Sequence, residues 1–115
     1  MQLNDLEKLG LNKNEAKVYL GLLKKGQATA SELVKSVGVH RNIIYDNLDK
    51  LIDKGLVSYV VDGTKRKFIA EKPQSIIEFL KEKKERLDEE IKSATNLLPE
   101  INAILATNKT EQETF

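Results

Sequence analysis

Two short stretches of this chain carry side chains that can hold or read a polyanion. In Arg41-Asn42-Ile43, a guanidinium can fork onto a guanine edge, an amide can pair with an adenine edge, and an aliphatic side chain can touch a thymine methyl. Plainer roles stand beside these: Arg41 can serve only as a phosphate anchor, and Asn42 can be a first-turn helix residue with no partner. Lys65-Arg66-Lys67 sets three cations in succession, which suits a phosphate backbone or a minor groove. The hydroxyls of Thr29 and Ser31 fall at a predicted helix start, a natural phosphate seat, where capping accounts for at least part of their role. His40 stands at the start of the next helix, where it caps that helix or touches a phosphate, with pH dependence in the second case. Tyr45 lies on a helix flank, placed for a phosphate or for packing. Asp46 can accept from a cytosine amino group or pair with Lys50 one turn on.

Other chemistries are closed off. The chain has no cysteine and one histidine, so thiol catalysis, disulfides and cysteine- or histidine-rich metal sites are excluded. Asp46, Asp49 and Asp53 share the exposed side of one predicted helix, yet no nucleophile, glycine-rich phosphate loop or metal set accompanies them, and they read as a solvated face. Neither an enzyme nor a cofactor is expected. No apolar run approaches the roughly 18 residues of a membrane helix, and Met1-Gln2-Leu3-Asn4-Asp5 has none of a signal peptide's basic and apolar regions. The expectation is a cytoplasmic, nucleoid-associated protein without a membrane partner. Residues 1–72 hold 13 Lys/Arg against 9 Asp/Glu, and residues 73–115 hold 6 against 9. A basic first half joined to an acidic second half puts any polyanion on the first. The three aspartates argue against strong indiscriminate binding, so a sequence-specific dimer is expected.

The elements that must position these residues are legible from caps and periods. Asn12-Lys13-Asn14-Glu15 reads as a capping box, followed by the stripe Ala16, Tyr19, Leu20 and Leu23 and ended by Gly26. Leu3, Leu6 and Leu9 with Gly10 suggest a short helical lid before it. Thr29-Ala30-Ser31-Glu32 opens a second helix carrying Leu33, Val34 and Val37 and stopped by Gly38. A third helix, about 40–54, buries Ile44, Leu48 and Leu51, turns Asn42, Ile43, Asp46 and Lys50 outward, and stops at Gly55. Two helices joined by so short a glycine turn form a helix-turn-helix signal. The period then changes: Leu56–Val61 is rich in β-branched residues, Asp62-Gly63 is expected as the central pair of a hairpin turn, and residues 65–70 return as a second strand. The fold class is therefore mainly α with a small β-hairpin wing, a winged helix-turn-helix, with residues 62–67 at the wing's tip.

Pro73 opens a last helix. Ile77, Leu80, Lys84, Leu87, Ile91, Ala94, Leu98, Ile101 and Leu105 follow at alternating +3 and +4 gaps, read as a coiled-coil seam that sets a dimer interface, parallel or antiparallel; the alternative is that the helix folds back and packs on its own domain. A kink or break is expected near Pro99. The domain reading is 1–72 for the winged helix, 73–106 for the dimerisation helix and 107–115 for a polar, disordered tail.

The strings Leu9-Gly10-Leu11-Asn12, Glu15-Ala16-Lys17-Val18-Tyr19-Leu20, Ala28-Thr29-Ala30-Ser31-Glu32-Leu33, Gly38-Val39-His40-Arg41-Asn42-Ile43-Ile44-Tyr45-Asp46 and Lys54-Gly55-Leu56-Val57 resemble the N-terminal domain of the TrmB family of transcription regulators, best known in archaea. The resemblance covers roughly residues 3–105. It implies a dimeric regulator of double-stranded DNA, with Arg41, Asn42 and the wing basics at contact positions. His40 stands where the family usually has proline, so the helix start is expected to differ. Larger members carry an effector-binding domain; this chain reads as a short stand-alone form with no small-molecule effector. The competing readings are a winged-helix protein-interaction module and an architectural DNA binder without sequence preference.

Overall fold

The computed structural model describes residues 1–113, with side chains described through residue 108. The element order is α1 (Leu3–Glu7), α2 (Lys13–Lys25), β1 (Gln27–Ala28), α3 (Ala30–Val37), α4 (Arg41–Asp53), β2 (Val57–Asp62), β3 (Lys65–Ala70) and α5 (Gln74–Glu113). Both predicted capping boxes form. Glu15 N donates to Asn12 Oδ1 at 2.7 Å while Asn12 N donates to Glu15 Oε1 at 3.0 Å, and Thr29 with Glu32 repeats the arrangement at the head of α3. Each pair satisfies helix-end N–H groups that have no intrahelical acceptor.

The core is aliphatic, built from Val18, Leu22, Leu33, Ile44, Leu48, Leu51 and Leu56 with Phe68 beneath the sheet. The buried face of α2 differs from the expected stripe. Ala16 and Tyr19 are buried as expected and Leu20 packs half-buried against the core, but Val18 and Leu22 are buried as well and Leu23 is exposed. The reason is that α2 is central: α1, α3, α4, β1 and β3 all touch it, so it buries a wider arc than a one-sided amphipathic helix does.

The sheet has three antiparallel strands in the order β1-β3-β2. Only the hairpin was legible in the sequence; β1 is two residues long, and strands are normally recognised by runs of four or more. The turn also differs from expectation. Asp62 pairs with Lys65, so the central residues are Gly63 and Thr64, and only Gly63 takes a positive φ, +66°. That is the pattern of a type II′ turn, which spares the β-branched Thr64 a left-handed conformation.

Helix α5 is 40 residues long and runs unbroken through Pro99, so the expected break is not there. It also continues past 106 to Glu113, through most of the segment expected to be disordered; residues 114 and 115 lie outside the described residues. The chain divides into two compact units, Met1–Leu80 and a second from Lys81 onward, rather than near residue 72. The first two turns of α5 belong to the first unit: Phe79 is buried, and Ile76 and Leu80 pack against the core. Leu80, read from the sequence as an interface residue, thus has a partner within its own domain.

Candidate nucleic-acid interface

The site is assembled from two helix starts and one hairpin. The Thr29 hydroxyl accepts from Glu32 N at 3.3 Å and donates to Glu32 Oε1 at 3.1 Å, so it is engaged in the cap. The Thr29 backbone N–H, with help from its hydroxyl, holds the Glu32 carboxyl below its ordinary 4.5. Ser31, two residues on, is exposed, and its Oγ accepts from Arg41 Nη2 at 3.0 Å. That bond joins the first turns of α3 and α4. Thr29, Ser31, Arg41, Tyr45, Lys65 and Arg66 line one groove of about 350 Å³. The partial positive charge of two helix starts adds there to three full cations.

His40 occupies the N-cap position of α4, but its side chain makes no capping hydrogen bond; the expected cap role is not filled. Asn42, Tyr45, Asp46 and Lys50 are exposed and Ile43 is half-buried, so the outward row read from the sequence is the outward row of the helix. Asp46 and Lys50 form an ion pair at 3.3 Å. Asn47, which the sequence reading passed over, is buried beside the inward stripe. Its Nδ2 donates to the Ile43 carbonyl at 2.7 Å, and its Oδ1 has no partner among the described residues. The spacing Ile44, Asn47, Leu48, Leu51 completes an i, i+3, i+4, i+7 face, the signal that marks it.

The basic triplet does not act as a block. Adjacent strand residues point to opposite faces, so Arg66 shares a face with buried Phe68 while Lys65 and Lys67 take the other. The Arg66 guanidinium lies 5.1 Å from the Tyr59 ring centroid, and that ring packs 5.8 Å from Phe68. Lys67 is paired with Asp62 at 3.0 Å. Lys65, next to the turn, lines the groove with Arg66.

One further cluster escaped the sequence reading. Glu15 is buried, and its Oε2 is held by Lys54 Nζ at the end of α4. The same ammonium lies 5.8 Å from the centre of the Phe79 ring. The partners are far apart in the chain, so no local spacing announces them.

The family described as the sugar-specific transcriptional regulator TrmB matches residues 6–74. The chain belongs to the TrmB family. TrmB is a regulator family, not an enzyme family. Over 80 residues the chain is 39% identical to the HTH-type sugar sensing transcriptional regulator TrmBL1 of Pyrococcus furiosus, a match covering 70% of this chain and 23% of that protein. The chain therefore spans about a quarter of the length of that relative. It is also similar to TrmBL2, described as an archaeal chromatin protein with a novel mode of DNA binding, at 26% identity and a TM-score of 0.77, covering 95% of this chain and 44% of TrmBL2. A possible transcriptional regulator from Methanosarcina mazei Go1 shares the fold at 19% identity and a TM-score of 0.57, over 81% of this chain and 88% of that one. Among the described residues, no helix is long and apolar enough to cross a membrane.

Proposed function

We propose that this TrmB-family chain binds double-stranded DNA as a homodimeric, sequence-specific transcription regulator. The observation that carries the reading is the groove in which Arg41, tethered to Ser31 across two helix starts, faces Lys65 and Arg66 of the hairpin. In this reading α4 enters the major groove and the wing meets the backbone or minor groove. Arg41 takes the phosphate role: its tether to Ser31 holds the guanidinium toward α3 rather than along the outward row. Asn42, Ile43 and Asp46 then read base edges, with Lys50 one turn beyond, and Tyr45 and His40 flank the backbone. Thr29 contributes its position at the helix start, since its hydroxyl is engaged with Glu32. The dimer forms through α5, whose Ile77, Leu87, Ile91, Leu98, Ile101 and Leu105 are exposed large apolar side chains; Lys84 and Ala94 complete the seam. Paired subunits would favour an inverted repeat with half-sites about one helical turn apart.

The test is a salt titration of binding to random genomic duplexes, with sequencing of the retained fragments. The reading expects affinity to fall steeply between about 50 and 200 mM salt and an inverted repeat to be enriched. A steep slope without enrichment would establish an architectural binder without sequence preference. Absence of binding at low salt would overturn the DNA reading in favour of a protein-interaction module.

A further inference from the structure

Lys17, Leu20, Gly21 and Lys24 recur at i, i+3, i+4 and i+7, so they share one face of α2. With Leu3 of α1 and Val37 at the end of α3, they line a groove of about 440 Å³ within the first unit. Its floor is aliphatic: Leu3, Leu20 and Val37 are half-buried and pack against the core. Gly21 keeps that floor bare, since a β-carbon there would come within 2.8 Å of Val37 Cγ2. The rim is cationic. Lys17 is half-buried and Lys24 exposed, and neither forms an ion pair among the described residues. Lys25, at the same rim, acts on the Glu32 carboxylate, but no acidic side chain lines the groove among the described residues. Lys24 sits in the last turn of α2, where a cation offsets the helix dipole. Lys17, in the middle of the helix, has no such role.

We infer that this groove is a docking site for an acidic amphipathic segment of another protein. The segment lays aliphatic side chains on the floor and sets carboxylates against Lys17 and Lys24. Charge complementarity names the occupant. An aliphatic floor alone would take any apolar partner, and the two uncompensated ammonium groups restrict it to one of negative charge. A phosphate backbone suits the rim but brings no apolar surface to bury on the floor. An amphipathic helix brings both, at the spacing i, i+3, i+4. The groove shares no residue with the one read above as the DNA surface. Ser31 lies at the N-terminal end of α3 and Val37 at its C-terminal end, six residues or about 9 Å along the helix. The docking site does not depend on the DNA reading; where both hold, a DNA-bound chain could carry the acidic partner at the same time.

The experiment is a selection of random peptides, about 16 residues or roughly four helical turns long, against the full chain. Lys17→Glu/Lys24→Glu serves as the counter-selection. Peptides retained by the wild type alone are expected to combine carboxylates with aliphatic residues spaced i, i+3 and i+4. Fluorescence anisotropy of such a peptide should show at least about tenfold weaker binding to the double variant, and excess duplex DNA should not displace it. Enriched peptides that lack carboxylates, or that hold both proteins equally, would overturn the assignment, as would a selection that yields nothing above the counter-selection. Displacement by the duplex would move the contact to the DNA groove and overturn it as well. Loss of self-association in the double variant would make a second copy the occupant in place of a different protein. Circular dichroism verifies that the variant is folded; where charge reversal costs the fold, Lys17→Gln/Lys24→Gln carries the same comparison.

Discussion

Arg41 and Asn42 are neighbours in sequence but are set up for different work. Arg41 is tied to Ser31, while Asn42 is exposed and its side chain makes no hydrogen bond among the described residues. Arg41→Ala should therefore weaken binding to every duplex alike and reduce the salt slope by about one, whereas Asn42→Ala should relax preference at one base pair at a cost of about 1–3 kcal/mol. Competition titrations against point-mutated sites separate the two outcomes. The reverse pattern would make Arg41 the reader. The outward row of α4 was legible because a helical wheel needs only the inward stripe to fix it. The Ser31 tether was not, since it joins residues ten apart across a turn. Tyr19 offers a pH test. Burial pushes its phenol above the ordinary 10.0, so the folded state disfavours ionisation. Its contribution is complete below about pH 10 and is lost as pH rises through the folded value. Between about pH 8 and about pH 11, urea midpoints of the wild type should fall further than those of Tyr19→Phe; parallel falls would refute the assignment.

The lesson at the level of elements is that caps travel well from sequence to structure and sheet edges do not. Asn12–Glu15 and Thr29–Glu32 are local patterns with a local cause, and both capping boxes form. Strand β1 exists only because β3 offers it partners at Ile69 and Phe68, a tertiary cause that no two-residue window contains. The same holds for the Glu15–Lys54 pair under Phe79, which fastens the start of α2 to the ends of two other elements: α4 and the first turns of α5. Lys54→Met should leave a buried carboxylate without its cation and destabilise the fold by about 2–3 kcal/mol, the lower part of the range for broken buried pairs because Lys54 is partly wetted. Adding Glu15→Gln should recover part of that loss. Chemical denaturation of the two single variants and the double variant measures the coupling, and strictly additive losses would mean the pair contributes nothing.

For the whole molecule, the division into two units fits the proposed division of labour, contact with DNA in Met1–Leu80 and self-association from Lys81 onward. Seam periodicity was readable over the length of α5, but the capture of Ile76, Phe79 and Leu80 by the winged domain was not, because periodicity cannot say which neighbour covers a stripe. Ile91→Asp, in the middle of the proposed seam and 63% exposed in the single chain, should convert the protein to a monomer with the winged domain intact. Sedimentation would read the mass, and DNA titration should show a shallower salt slope as half the phosphate contacts are lost. An unchanged mass would move the dimer interface off this seam. The placement of the tyrosines also has an optical consequence. With three tyrosines and no tryptophan, the ultraviolet emission of this protein is tyrosine emission. Tyr45 and Tyr59 are 40% and 43% exposed beside the groove, and Tyr19 is 2% exposed in the core. An unlabelled sample thus carries two reporters that a docking duplex would quench and one internal reference that only unfolding would disturb.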